Sequence, residues 1–535
     1  MPPNKASYND VTAAHQTRRY DLALIPWVPI IQANGQPAEV GLRTLLADSH
    51  HIWDVAVVDP LGRAALRRFL ESMAALIVRG NPVRNQWHGR AQQNTGFSAA
   101  EINGLFQQTA DYLWLYHPRT PFLQDHRLLG PQQTGIQTRT LALMPWVPQG
   151  ATPVWWYHQD TPDTGMTPAE TALGLLRRWY YTLAEQRHGS RATGTSGEAH
   201  IGTPAGEGKP DITHLFWRDD TSLFRTLLFN LPQNIINPHG PTLADQTAWA
   251  DPDQPRLTGD PLYVATVTGV TALLGPDNPA GRIPWMLHAP IPGTPQQVKA
   301  ADEHIIQPAR AQDAHRIVIH KTGRTGKLTA ETVRLNPRAH RWPNLERYHR
   351  LTLDTLGGKP NQLLQGLANT QTALVPPPKS ATAELLLASK SGTTMAPKYQ
   401  AALTVSYRSP WLTVGQPDND PIGEVLDVIF ANRGILPMLQ RAIRHSLAKP
   451  DGQLGKDPAQ LARVLGDTAE LHFLAQIDAS VERALSQSAA GSNTWQASIP
   501  SWRDAAIAAF DTVMFPYSNT SRYVARIAQA RASLR

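Results

Sequence analysis

Between residues 457 and 488, apolar side chains recur every three or four positions: Leu461, Leu465, Leu471, Leu474, Ile477, Val481 and Leu485. A helix places residues at that spacing on one face, and a stripe of this length has to be covered. Asp457-Pro458 opens it as an N-cap followed by proline at the first helical position, and Gln460 completes a capping-box pattern with Asp457. Asp420-Pro421 opens a helix over about 421–447 in the same way. A shorter helix is expected from near Ser501 to "FPYS", and a last one from about Thr520 onward. Four such helices joined by short loops predict an antiparallel four-helix bundle over 411–535.

The preceding residues, 1–410, read as a large mixed α/β domain of unusual topology, so the fold class is α+β. "YDLALIPWVPII" (20–31) suggests an edge strand or a β-turn-β start. "GLRTLLADS" and "RAALRRFLESMAALIV" have helical spacing, with Leu66, Leu70, Met73 and Ile77 on one stripe. Ser98 and Glu101 form a capping box, which Phe97 and Ile102 can close as a hydrophobic staple. The helix they start is expected to run on to His117-Pro118, where proline disfavours further helix. Thr167-Pro168-Ala169-Glu170 is a second capping box, with its helix ending near 186. Residues 188–208 contain six glycines in 21 and read as a mobile loop. "HRIVIHKTGRTGKLTAETVR" (315–334) reads as a basic β-hairpin with a glycine-rich tip, and "LVPPPKSATAE" (374–384) as a stiff connector.

Composition narrows the function classes. No run approaches the ~18 apolar residues of a membrane span. The N-terminal residues show no secretory h-region, so a cytoplasmic protein without membrane contact is expected. There is no cysteine among the 535 residues, which excludes disulfides, thiol catalysis and cysteine-ligated zinc. Formal net charge is +7, and the segment Arg310 to Arg350 alone holds ten Lys/Arg against three Asp/Glu. Such a surplus is an electrostatic footprint for a polyanion. Arginine outnumbers lysine 39 to 11, which suits bidentate phosphate contacts. A GC-rich genome accounts for the overall arginine bias but less well for the local cluster.

Candidate chemistry is sparse. In "DYLWLYHPRTPFLQD" (111–125), His117 and Asp125 suggest an oriented base, but no G-x-S-x-G nucleophile elbow accompanies them. A histidine beside proline at a helix end more often caps or packs. "HKTGRTGK" (320–327) fails as a phosphate loop: Leu328 stands where Ser or Thr belongs and Lys321 where the first glycine belongs. It reads either as a basic hairpin tip that touches phosphates or a groove, or as a solvated turn. The histidines show no H-E-x-x-H spacing, and His472 on a long helix reads as packed or surface. Trp155, Trp156 and Tyr157 are either core packing or a stacking platform. No cofactor is expected.

The ordered set of segments resembles the CasA family, the large subunit of the type I-E CRISPR Cascade surveillance complex. "LIPWVPI" and "EVGLRTLLADSHHI" resemble the family's opening strand and helix. His117 through Gln124 match its H-P-x-x-P-F-[LM]-Q signature, its most specific local marker. "GTP" at 202–204, "SLFRTLLFNL", "AELHFLAQ" and "FPYSNTSRYVARIAQARASLR" follow in order.

The resemblance implies a non-catalytic subunit. It would recognise the PAM in double-stranded target DNA, start duplex opening, guide the displaced strand and recruit the CRISPR helicase-nuclease, while guide pairing reads the sequence. Its partners would be the duplex, the 5′ handle of the guide RNA, the other Cascade backbone subunits and the helicase-nuclease. Carried over residue by residue, the PAM loop falls on Gly194, Thr195, Ser196 and Gly197, where bare backbone can approach base edges. The lysine finger falls on Lys327 or Lys321. The wedge falls on Gly392, Thr393, Thr394 and Met395, with Met395 in an apolar role where the family has glutamine. The guide-handle loop falls on Trp155 and Trp156. Two rivals stand beside this reading. One is a tryptophan-rich hydrolase with two carboxylates about 5–10 Å apart; the other is a DNA/RNA-binding scaffold without PAM selectivity.

Overall fold

The capping box at Ser98 forms as the sequence requires. Its hydroxyl accepts from the Glu101 N–H at 3.3 Å, and the Glu101 carboxylate accepts from the Ser98 N–H at 2.7 Å. Phe97 and Ile102 are both buried. The helix this opens, α5 (Ala99–Thr109), stops eight residues before His117-Pro118. After a turn of 3-10 helix, Trp114–Tyr116 is strand β5, paired antiparallel with β1 (Arg19–Asp21). Helical spacing had extended too far because Leu113, Leu115 and Tyr116 are all buried, which a strand satisfies equally well.

The computed structural model of the chain describes residues 8–81, 83–124, 136–143, 165–181, 186–188, 198–200, 212–233, 270–290, 314–322, 328–333, 335–337, 339–353, 373–391, 398–412, 420–448 and 456–535, with three two-residue strands between 355 and 363. The chain divides into two compact units. One comprises Met1–Val318 with Leu364–Ser406, the other Ile319–Leu363 with Tyr407–Arg535.

In the first unit, α3 (Pro60–Gly80) is the central helix. It packs against α5, α6 (Pro168–Tyr181), α7 (Leu223–Phe229) and strand β17 (Thr382–Ser391). Its expected stripe of Leu66, Leu70, Met73 and Ile77 is buried, and so are Arg67, Arg68 and Glu71 on its other faces. β17 is the middle strand between β9 (Ile212–Arg218) and β18 (Lys398–Arg408). It pairs antiparallel with β9 from Thr382↔Arg218 to Ala388↔Ile212. The connector over 374–384 therefore ends inside a strand. A second sheet has the order β3-β2-β4, made of Pro37–Val40, Val28–Gln32 and Ile52–Val55. β2 is its centre, so the "WVPII" stretch is not an edge; the β-turn-β start from β1 holds. A third sheet has the order β10-β11-β6, made of Val270–Leu274, Trp285–Pro290 and Ile136–Arg139. Thr167 and Glu170 cap α6 reciprocally, as predicted. Within the expected glycine-rich loop, β7 (Gln186–His188) pairs antiparallel with β8 (Glu198–His200), so part of that stretch is a ladder.

In the second unit, the predicted helix over 421–447 is two helices. α9 (Pro421–Phe430) is capped by the Asp420 side chain, and α10 (Ile435–Leu447) starts after Gly434. A Cβ on Gly434 would lie 2.8 Å from the Ile429 carbonyl oxygen, so only glycine fits the corner. Pro437 explains the break: inside one continuous helix it would remove a hydrogen bond and clash, whereas in the first turn of α10 it costs little. α11 (Lys456–Ala489) packs against α9, α10 and α12 (Ile499–Met514), and α10 also packs against α13 (Ser521–Ala532). Leu474, Ile477, Val481 and Leu485 are buried as expected, with Phe473 beside them. Leu471, assigned to that stripe from its spacing, is 59% exposed. α11 begins at Lys456, so Asp457 lies in its first turn rather than capping it.

Candidate nucleic-acid interface

The HPRTPFLQ stretch is a turn built to hold two sheets in register. His117 Nδ1 accepts the N–H groups of Arg119 at 3.2 Å and Thr120 at 2.9 Å. Phe122 N–H donates to the Trp114 carbonyl at 2.8 Å. Gln124 is fully buried; its Nε2 donates to the Leu115 carbonyl at 2.6 Å and its Oε1 accepts from the Leu274 N–H at 2.8 Å. The Tyr116 hydroxyl donates to the Gly275 carbonyl at 2.6 Å. The signature thus ties β5 to β10, and His117 terminates a turn. Asp125 lies outside the described residues.

The basic hairpin exists as a strand pair. β12 (Val318–Thr322) is hydrogen-bonded to β13 (Leu328–Thr332) on one side. On the other it pairs with β16 (Gln362–Leu363), through Ile319↔Leu363 and His320↔Gln362. Lys321 stands on β12, one residue beyond the last of those pairs. Lys327 lies in the connection, outside the described residues, as do Gly194, Thr195, Ser196 and Gly197, Gly392, Thr393, Thr394 and Met395, and Trp155 and Trp156. The described elements still place three of these segments in sequence. Residues 189–197 join β7 to β8, 323–327 join β12 to β13, and 392–397 join β17 to β18. Each predicted reading segment is therefore the connection of two hydrogen-bonded strands. The strands β17 and β18, of ten and eleven residues, were missed in the sequence; "TAELLLASKS" and "KYQAALTVSYR" carry the aliphatic run and alternation that could have flagged them.

The charge surplus over 310–350 is partly neutralised from outside that window. Arg341, on α8 (Arg341–Leu353), forks onto Asp478 at 3.0 and 2.7 Å and reaches Glu482 at 3.1 Å. Inside the window, Arg350 pairs with Glu346 one turn away, an acid already in that count, whose carboxyl is pushed up by burial. A count along the sequence overstates what this segment offers a polyanion.

The first unit also buries an ion network that no motif announced. Arg67, 2% exposed, donates to Asp54 at 2.6 Å and Glu384 at 2.5 Å. Arg63 reaches Asp54 at 2.5 Å, and Arg218 reaches Glu384 at 2.8 Å. Burial pushes both carboxyls up; the Arg67 and Arg63 guanidiniums more than reverse it and leave both below the usual carboxylate range. The pair therefore stays ionised. A two-carboxylate hydrolase needs one acid raised and a cleft between the two, and here one guanidinium fills that space. Among the described residues no group of acids and histidines forms a metal site. No helix among them is long and apolar enough to cross a membrane.

Comparison with known proteins accords with this architecture. The family model described as CRISPR-associated protein Cse1 matches residues 21–511. A CRISPR-associated protein CasA/Cse1 of Thermus thermophilus is 25% identical over 229 residues, a match spanning 40% of this chain and 39% of that relative. The crystal structure of the CRISPR-associated protein Cse1 from Acidimicrobium ferrooxidans superposes with a TM-score of 0.67 at 18% identity, covering 97% of this chain and 99% of that one. A chain of a structure titled "CRISPR RNA-guided surveillance complex" superposes with a TM-score of 0.66 at 18% identity, covering 97% and 100%. At these identities the structural likenesses show the fold.

Proposed function

The chain belongs to the CRISPR-associated protein Cse1 family, and on that premise we propose that it is the large, non-catalytic subunit of an RNA-guided CRISPR interference complex. In that complex it recognises the PAM in double-stranded DNA, starts duplex opening, guides the displaced strand and recruits the helicase-nuclease. The observation that carries the reading is the family match over residues 21–511, nearly the whole chain. Residues 1–410 would hold PAM recognition, the guide-handle contact and backbone docking, with the helices after 411 as the second part.

The physical logic is phosphate neutralisation joined to close backbone approach. Lysine on a β-hairpin contacts phosphates or the groove, and glycine between paired strands lets main chain reach the groove floor. Base-edge contact in the minor groove separates A·T from G·C, so selectivity for a short flank is modest per contact. Duplex binding should fall steeply with salt.

The test is binding of the complex assembled with this subunit to duplexes carrying every flanking triplet, at several salt concentrations. Selective binding to a few triplets supports the reading; equal binding to all would leave only a scaffold. Lys327→Ala should lower discrimination about tenfold, the size of one specific contact. Unchanged discrimination would transfer the role to Lys321.

A further inference from the structure

The basic hairpin is short. Its two strands are five residues each, and its third strand, β16, is two. A ribbon of that size is marginally stable alone, so its direction has to be set at its root. The root is well defined. Leaving β13, Val333 and Leu335 are buried. The Asn336 N–H donates to Asn344 Oδ1 at 2.9 Å, and Asn344 Nδ2 donates back to the Asn336 carbonyl at 2.9 Å. Asn344 is 1% exposed and sits on α8.

α8 is in turn fastened to α11. Arg341 forks onto Asp478 and reaches Glu482, both on α11. Its guanidinium lies 4.1 Å from the Trp342 ring centroid, which fixes the plane of the fork. The Tyr407 hydroxyl donates to the Arg341 carbonyl at 2.6 Å. At the far end of α8, Tyr348 donates to the Leu412 carbonyl at 3.1 Å, and His349 Nε2 donates to that of Trp411 at 2.7 Å.

We propose that Asn344 and Arg341 are positioning residues for the basic hairpin: the paired amide aims it, and the arginine fork holds α8, and so the aim, against α11. This rests on the reading under Proposed function. Lever length makes the root matter. A five-residue strand spans about 17 Å, so a rotation of ~10° at Asn336 displaces the far end of the described strands, beside Lys321, by about 3 Å. That displacement is enough to lose a hydrogen-bonding geometry.

The experiment uses the assembled complex and measures the ratio of affinities for the preferred and a scrambled flanking triplet. The variants are Asn344→Ala, Arg341→Lys, Lys321→Ala/Lys327→Ala, and Asn344→Ala combined with that lysine pair. Asn344→Ala should cut the ratio about fivefold to tenfold and Arg341→Lys about threefold, each roughly 1 kcal/mol or less per threefold to fivefold step. In the lysine-free background Asn344→Ala should cause no further loss, because nothing is left to aim. A further loss of the same size would overturn the proposal and mark Asn344 as merely structural. The charge-reversed pair Arg341→Asp/Asp478→Arg should recover selectivity lost in Arg341→Asp alone; no recovery counts against the fork. If the lysine pair itself leaves the ratio intact, the functional reading fails. If the lysine pair lowers it and Asn344→Ala and Arg341→Lys do not, the positioning inference alone fails.

Discussion

Two long helices carry the two units and are stabilised in opposite ways. α11 is a 34-residue helix with one apolar face and one solvated face. α3 is a 21-residue helix buried nearly all round, with Arg67, Arg68 and Glu71 inside. The partners of those charges come from remote segments: Glu384 is 317 residues from Arg67, and His315 is 244 from Glu71. His315 Nε2 lies 2.6 Å from the Glu71 carboxylate, its Nδ1 lies 2.9 Å from the Leu215 carbonyl, and its ring stacks on Phe216. The contrast teaches that a helix with a wet face needs only local spacing to be specified. One with none needs long-range polar matching, and each unmatched charge there is expensive.

The contrast can be broken most sharply at Arg67. Arg67→Ala removes the guanidinium between Asp54 and Glu384 and leaves these buried carboxylates only the less buried Arg63 and Arg218. Denaturant unfolding should show a loss of about 3–5 kcal/mol. A loss under about 1 kcal/mol would mean that the network is not holding α3.

Acid offers a second separation. His15, fully buried, has its pKa lowered from 6.5 to about 4 by desolvation, with Nε2 donating to the Leu274 carbonyl at 3.0 Å. The unfolded chain takes up this proton below pH 6.5 while the folded chain refuses it until about pH 4, so stability falls across that window as pH drops. The cost reaches about 3 kcal/mol at the acid end. The depressed carboxyls of Asp54 and Glu384 act in the same direction at lower pH. Their contribution is complete above the ordinary carboxylate range and is lost as they protonate. Hydrogen exchange along a pH series should show residues 60–80 opening before 470–489, and His15→Gln should flatten the pH 4–6.5 portion.

The smallest effect sharpens the other side. Leu471→Ala, on the solvated face of α11, should change stability by no more than about 0.5 kcal/mol. A core-sized loss would show that face to be covered.

What could be read in the sequence follows the same division. The caps at Ser98, Thr167 and Asp420, the C-terminal helices and the α3 stripe were legible because each is a short-range pattern. Leu471 was misassigned because spacing alone does not give the width of the buried face. The break at Gly434 was overlooked although Pro437 signalled it. The strand at Trp114–Tyr116 was hidden because its partner, Arg19–Asp21, lies far back in the chain. Among the candidate site residues, the basic hairpin was legible from its turn and charge. What aims it was not: Asn344 reads as an ordinary helix residue until Asn336 is beside it.

The strand pairs that end at 189–197, 323–327 and 392–397 have an evolutionary consequence. Lengthening or rewriting the residues that follow the last described pair of a ladder leaves the registers behind it untouched. Such tips can drift between lineages, or be transplanted between relatives, while the scaffold beneath stays unchanged. Divergence among homologues should therefore collect at these closures sooner than in the ladders that carry them.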